Sequence, residues 1–157
     1  MNYKNSKFYV ENISIGKLAQ SFQTPFYCYS KSRLNENIKN FNKNFEKTKP
    51  LVCFSVKSNS NSKLLKIIKD NGLGADVVSM GELQKVLKVG FKPNKIVFSG
   101  VGKTNDEIML ALDNGIRQFN VESIPEIMMI NKIASATGDR GGGKLTAVIG
   151  GDFIVDF

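Results

Sequence analysis

The 157-residue chain has no histidine, no tryptophan, two cysteines and four prolines. The missing histidine removes the commonest zinc ligand and the usual general base. Cys28 and Cys53 stand far apart with no CxxC spacing, so a zinc site or a Cys–His nucleophile is excluded. Both read as small apolar residues in strands. No apolar run approaches the ~18–20 residues of a membrane helix, and the residues after Met1 form no apolar signal core. The expected compartment is the cytoplasm. Arginine is also scarce, at three residues. The net charge of +8 therefore rests on lysine, and it is lopsided. Residues 1–70 hold 13 Lys and Arg against 4 Asp and Glu, whereas residues 71–157 hold 9 against 10. The basic half is scattered among asparagines such as Asn37, Asn40 and Asn44, without interleaved aromatics or a nucleic-acid motif. It reads as a solvated surface, and no nucleic-acid or membrane partner is expected.

What is present is a rhythm. Strands are predicted to start near Leu51, Gly74, Lys95 and Arg117, at intervals close to 22 residues, each followed by a helix. The runs Val52–Val56, Ala75–Val78, Ile96–Phe98 and Phe119–Val121 are short and largely apolar, as parallel strands are. Three capping boxes of the S/T-x-x-E type punctuate the helix starts: Ser79–Glu82, Thr104–Glu107 and Ser123–Glu126. Gly72, Gly90, Gly115 and Gly138 fall where helices end. Before this array, Phe8–Val10 and Phe26–Tyr29 are predicted strands. Ser14 and Ser30 cap predicted helices, the second over about 31–46 with Leu34, Ile38, Phe41 and Phe45 on one stripe.

Strand–helix alternation fits a doubly wound open sheet or a (β/α)8 barrel. No βα turn carries G-x-G-x-x-G or a P-loop, and the barrel is the reading preferred. A full barrel takes about 250 residues. The expectation is therefore a partial TIM-type barrel of four to five βα units, without the second half. The tail from Lys144 can supply a fifth strand. The expected organisation is a strand and helix lead-in over 1–50, the first half of a barrel over 51–140, and a separate tail over 141–157.

In such a sheet chemistry collects at the carboxyl ends of the strands. Lys57 follows Val56 directly, with Ser58 and Asn59 after it. A lysine partly desolvated there is able to form a Schiff base; a rim lysine reaching solvent is the plainer alternative.

Five blocks, in order, resemble the pyridoxal-phosphate decarboxylases built on an alanine-racemase-type barrel. They are Thr24–Tyr29, Phe54–Asn59 (F-S-V-K-S-N), Gly74–Leu83 (G-A-D-V-V-S-M-G-E-L), Ile96–Thr104 (I-V-F-S-G-V-G-K-T) and Phe119–Ser123 (F-N-V-E-S). Within that family the last two are similar to the diaminopimelate decarboxylases. The resemblance implies pyridoxal 5'-phosphate held covalently on Lys57, the catalytic residue, with Asp76 near the cofactor or serving the strand end structurally. No metal is implied. The reaction would be decarboxylation of meso-2,6-diaminopimelate, an amino acid, to L-lysine. Members usually pair as homodimers. Ser55 and Ser58 replace alanines of the pattern, and Met80 replaces a glycine. The family's later histidine, glycine-rich phosphate loop and C-terminal β-domain have no counterpart here. The expectation is thus the N-terminal portion of such an enzyme, inactive by itself. A non-catalytic pyridoxal-phosphate module and one half of a split enzyme are the alternatives.

Overall fold

A computed structural model describes residues 2–137, 146–149 and 153–156. Gly138 and residues 141–145 lie outside the described residues, so their expected roles do too. The chain divides into two compact units, Met1–Pro50 and Leu51–Phe157.

The first unit opens with an antiparallel sheet of β1 (Asn2–Lys4), β2 (Lys7–Val10) and β3 (Ile13–Ser14). The short α1 (Ile15–Ser21) follows, with the Ser14 hydroxyl accepting from Lys17 N. The longer α2 (Lys31–Lys43) is capped by Ser30, whose Oγ accepts from Arg33 N. α2 stops at Lys43, short of the expected 46, and its apolar stripe is only partly covered: Ile38 is buried, whereas Phe41 and, just past the helix, Phe45 are exposed and lie ring to ring at 5.1 Å. Phe26–Tyr29 forms no strand, contrary to the expectation from its composition. Tyr27 is 91% and Tyr29 63% exposed, and the segment joins no ladder. β-propensity without a neighbouring strand does not make one.

The second unit is a six-stranded sheet. β4 (Cys53–Ser55), β5 (Gly74–Val77), β6 (Ile96–Phe98), β7 (Gln118–Val121) and β8 (Thr146–Ile149) run parallel in sequence order. β9 (Phe153–Asp156) then turns back antiparallel on β8. The tail accordingly adds two strands where one was expected. α3 (Ser62–Asp70), α4 (Met80–Val89), α5 (Asn105–Asp113) and α6 (Ile124–Thr137) are the crossovers and the helix that leads on. Strand order follows sequence with no reversal, so the sheet is singly wound.

Alternation along the strands separates two faces. Ala75, Val77, Ile96, Phe98, Phe119 and Val121 are buried together with Leu65, Leu83, Ile108 and Ile130 of the helices. Phe98 and Phe119 stack at 6.0 Å in this layer. Fully burying one such side chain is worth about 1.5–3 kcal/mol. The alternate positions, Asp76, Val97, Gln118 and Asn120, are half-buried and line the opposite face.

The helix starts follow the punctuation. All three cap hydroxyls accept from the residue three further on. Only Thr104–Glu107 is a complete box, with Glu107 Oε2 accepting from Thr104 N. Glu82 and Glu126 reach one residue further back, to Val78 N and Glu122 N. Glu107 Oε1 also accepts from Met80 N, so a single carboxylate serves the first turns of α4 and α5. Gly90 ends α4 in the left-handed conformation at φ 90°, where a Cβ is costly.

Gly74 leaves no room for a side chain. A Cβ there would lie 2.4 Å from the Lys95 carbonyl oxygen and 2.7 Å from Cys53 Sγ, whereas one at Gly81 would meet nothing within 4 Å. Gly74→Ala is expected to lower stability by about 1–3 kcal/mol. Gly81→Ala, inside α4, is expected to be neutral or to gain up to about 1 kcal/mol. Urea midpoints of the two variants check the contrast.

Candidate functional site

Lys57 sits just past β4 rather than within it. The strand ends at Ser55, and Val56–Ser58 forms a single 3-10 turn. Local side chains shape this corner. Ser58 Oγ donates to Ser55 O at 2.7 Å, Asn59 Oδ1 accepts from Asn61 N, and Asn61 Oδ1 accepts from Lys63 N to cap α3. The serines and asparagines after Lys57 thus satisfy backbone groups in a turn, as such residues do. Val56 is fully buried and anchors the corner, while the Lys57 side chain is exposed and has no partner among the described residues.

Asp76 stands on β5, in register with Ser55 of β4 and Val97 of β6. Its Oδ1 accepts from Ser99 Oγ at 2.5 Å. Ser99 Oγ accepts in turn from Asn120 Nδ2 at 2.8 Å, and Asn120 Oδ1 accepts from Gln118 Nε2 at 2.7 Å. A recess of about 420 Å³ runs along this face, lined by Cys53, Asp76, Val97, Arg117, Asn120 and neighbouring residues. Burial, with the Asp76 charge second, pushes the Cys53 thiol up, which keeps it protonated and unreactive. Ser55 Oγ is buried with no hydrogen-bond partner.

Lys103 lies in the Ile96–Thr104 block, but its burial and its ion pair are what sequence reasoning missed. In sequence it is one more loop lysine; in the fold its side chain is 1% exposed. Its ammonium donates to Gly100 O and Asn120 O, both at 2.7 Å, and to Glu126 Oε1 at 2.5 Å. Three donors meet three acceptors. Glu126 completes the assembly by accepting from Glu122 N. The partners are 3, 17 and 23 residues away, and the two distant ones leave no local signal. Glu122 itself is exposed. Among the described residues no group of three or more His, Cys, Asp or Glu can hold a metal, and no helix is long and apolar enough to cross a membrane.

The parallel sheet in sequential order, and the sequence that forms it, have counterparts among known proteins. The family described as pyridoxal-dependent decarboxylase, pyridoxal binding domain, matches residues 31–140, and the chain belongs to it. Within that family the chain is 46% identical over 136 residues to the diaminopimelate decarboxylase of Haemophilus influenzae, covering 87% of this chain and 33% of that protein. The crystal structure of diaminopimelate decarboxylase from Helicobacter pylori complexed with L-lysine superposes with a TM-score of 0.78 at 40% identity, over 86% of this chain and 33% of the other. The structure of AQ1208 from Aquifex aeolicus gives 0.86 at 39% identity, over 94% of this chain and 36% of the other. The chain spans about a third of the length of the curated relatives it matches.

The cofactor of this family is pyridoxal phosphate, and the residues present fit it in kind. Lys57 offers an unpaired primary amine, Asp76 a carboxylate tied at one oxygen, and Ser55 a buried hydroxyl lacking a partner.

Removing one member of the Lys103–Glu126 pair strands a buried charge, which costs about 3–5 kcal/mol. Lys103→Met is expected to destabilise by that amount, and Lys103→Met with Glu126→Leu to recover most of it, as read from urea midpoints. For Glu107, burial raises the carboxyl, but hydrogen bonds from Thr104 N, Met80 N and the Thr104 hydroxyl outweigh it, and the net shift is down. A carboxyl lowered on folding stabilises above its unfolded value, near 4.3, and that contribution is lost as pH falls through the lower folded value. The stability gap between wild type and Glu107→Gln is expected to be full at pH 7 and to shrink steadily below pH 4, as measured by denaturation at each pH.

Proposed function

We propose that the chain is the N-terminal portion of a diaminopimelate decarboxylase and carries its covalent cofactor lysine. The observation that carries the reading is Lys57. It is an exposed, unpaired amine on a turn fixed by its own neighbours, in a chain of this family. The sequential strand order supports reading β4 to β8 as the first half of a (β/α)8 barrel, with its polar face inward. In this reading residues 1–50 are the lead-in, 51–140 the half-barrel and 141–157 a separate tail. The substrate is the amino acid meso-2,6-diaminopimelate and the product L-lysine, in keeping with the lysine named in the Helicobacter pylori complex. The assembly is a homodimer in the cytoplasm.

Lys57 would hold the cofactor covalently through its Nζ, the exposed primary amine of the turn after β4. Asp76, on the adjacent strand, would orient it with the carboxylate oxygen that Ser99 leaves unoccupied. When bound, pyridoxal phosphate supplies an electron sink for the pair left at the α-carbon as CO₂ departs. Ser55 Oγ offers a further polar contact at the same strand end.

Incubating the purified chain with pyridoxal phosphate, trapping with borohydride and mapping by mass spectrometry tests the assignment. One label per chain on Lys57, lost in Lys57→Ala, is expected. Label spread evenly over the surface lysines overturns it. The chain alone is expected to release no CO₂ from meso-2,6-diaminopimelate; robust cofactor-dependent release would contradict the assignment as a portion needing the rest.

A further inference from the structure

The polar chain from Gln118 to Asp76 has a direction. A primary amide donates only from nitrogen and accepts only at oxygen. Gln118 Nε2 faces Asn120 Oδ1, which leaves Asn120 Nδ2 facing Ser99. A hydroxyl has one proton to give. With Asn120 donating to its oxygen, Ser99 gives that proton to Asp76 Oδ1. Every donor in the series points toward Asp76, and the terminus it suits is a carboxylate. Among the described residues Asp76 Oδ2 has no hydrogen-bond partner, so one oxygen is fixed and the other left open.

The backbone that carries this series is fixed as well. Ser99 N bonds Val77 O at 2.8 Å, which prolongs the β5–β6 ladder to the serine. Gly100 follows at φ 90°, where a Cβ would press on Val78 Cβ at 3.3 Å, so the chain turns sharply there. Lys103 grips both Gly100 O and Asn120 O. One buried ammonium therefore sets the strand ends that present Ser99 and Asn120 at hydrogen-bonding distance.

We infer that Ser99 and Asn120 are positioning residues for Asp76. Ser99 orients the carboxylate by holding Oδ1, Asn120 fixes which way the Ser99 hydroxyl points, and the free oxygen is thereby aimed for the cofactor. The second half of the statement rests on the reading of Asp76 as a cofactor contact. Neither residue touches the cofactor in this scheme; both act through Asp76.

Two measurements on the full chain test it. The first needs no cofactor. The carboxyl carbon resonance of Asp76, followed by NMR at pH 7, is expected to move in Ser99→Ala and in Asn120→Ala and to return toward the wild-type position in Ser99→Thr, which keeps the hydroxyl. An unmoved resonance in Ser99→Ala overturns the positioning. The second is a double-mutant cycle on the dissociation constant of pyridoxal phosphate. Ser99→Ala is expected to weaken binding about tenfold, as loss of a hydrogen bond to a charged group does, and by less than twofold when Asp76→Asn is already present. Equal weakening in both backgrounds overturns action through Asp76. A wild-type chain that takes up no cofactor refutes the functional proposal and the aiming of Oδ2, while the resonance decides the positioning of the carboxylate.

Discussion

The contact between Lys103 and Glu126 holds the carboxyl end of the sheet together. Both groups are buried, and an ammonium in that position is tolerable only with every proton matched to an acceptor. Gly100 O, Asn120 O and Glu126 supply the match. The three come from the loop after β6, the end of β7 and the first turn of α6. The Phe98 ring, 5.9 Å from the ammonium, closes one side of the pocket. An apolar pair in the same place would fill the space but would not fix where two carbonyls stand.

That placement matters because the sheet divides its labour by face. One face is apolar and covered by helices, and it supplies the burial that makes the unit stable. The other carries Asp76 on β5 and Gln118 and Asn120 on β7, with Ser99 beyond the end of β6 between them. Polar side chains in a half-buried layer cost free energy unless they satisfy one another. Here they do so in series. Their ordering depends on strand register, and the register is held at its carboxyl end by Lys103.

Much of this was legible in the sequence. The spacing of about 22 residues and the short apolar runs place β4 to β7 to within a residue at each end, and the cap hydroxyls mark where helices begin. Lys57 stood out because an amine after an apolar run needs explaining. The failures have a common origin in distance along the chain. Phe26–Tyr29 has strand composition, but the first unit offers it no partner, and composition cannot report that. The role of Lys103 requires Asn120 and Glu126 to be brought back beside it. The link from Asp76 to Ser99 and Asn120 spans three strands and appears only once their register is known. The capping boxes show the same limit on a smaller scale. The hydroxyl half is local and was read correctly, whereas Glu82 and Glu126 chose acceptor roles one residue away from the expected one.

Glu107, which caps its own helix and also takes the Met80 amide, makes α4 and α5 neighbours in more than space. Each strand in this sheet pairs with the next one made, and each helix packs on the one before it. Each strand pairing therefore spans a single βα unit, with no unit skipped. A shared carboxylate adds coupling between adjacent units, as in repeat proteins whose folding spreads from neighbour to neighbour. The chain is thereby suited to fold progressively as it emerges during synthesis, each finished βα unit serving as the template on which the following one settles.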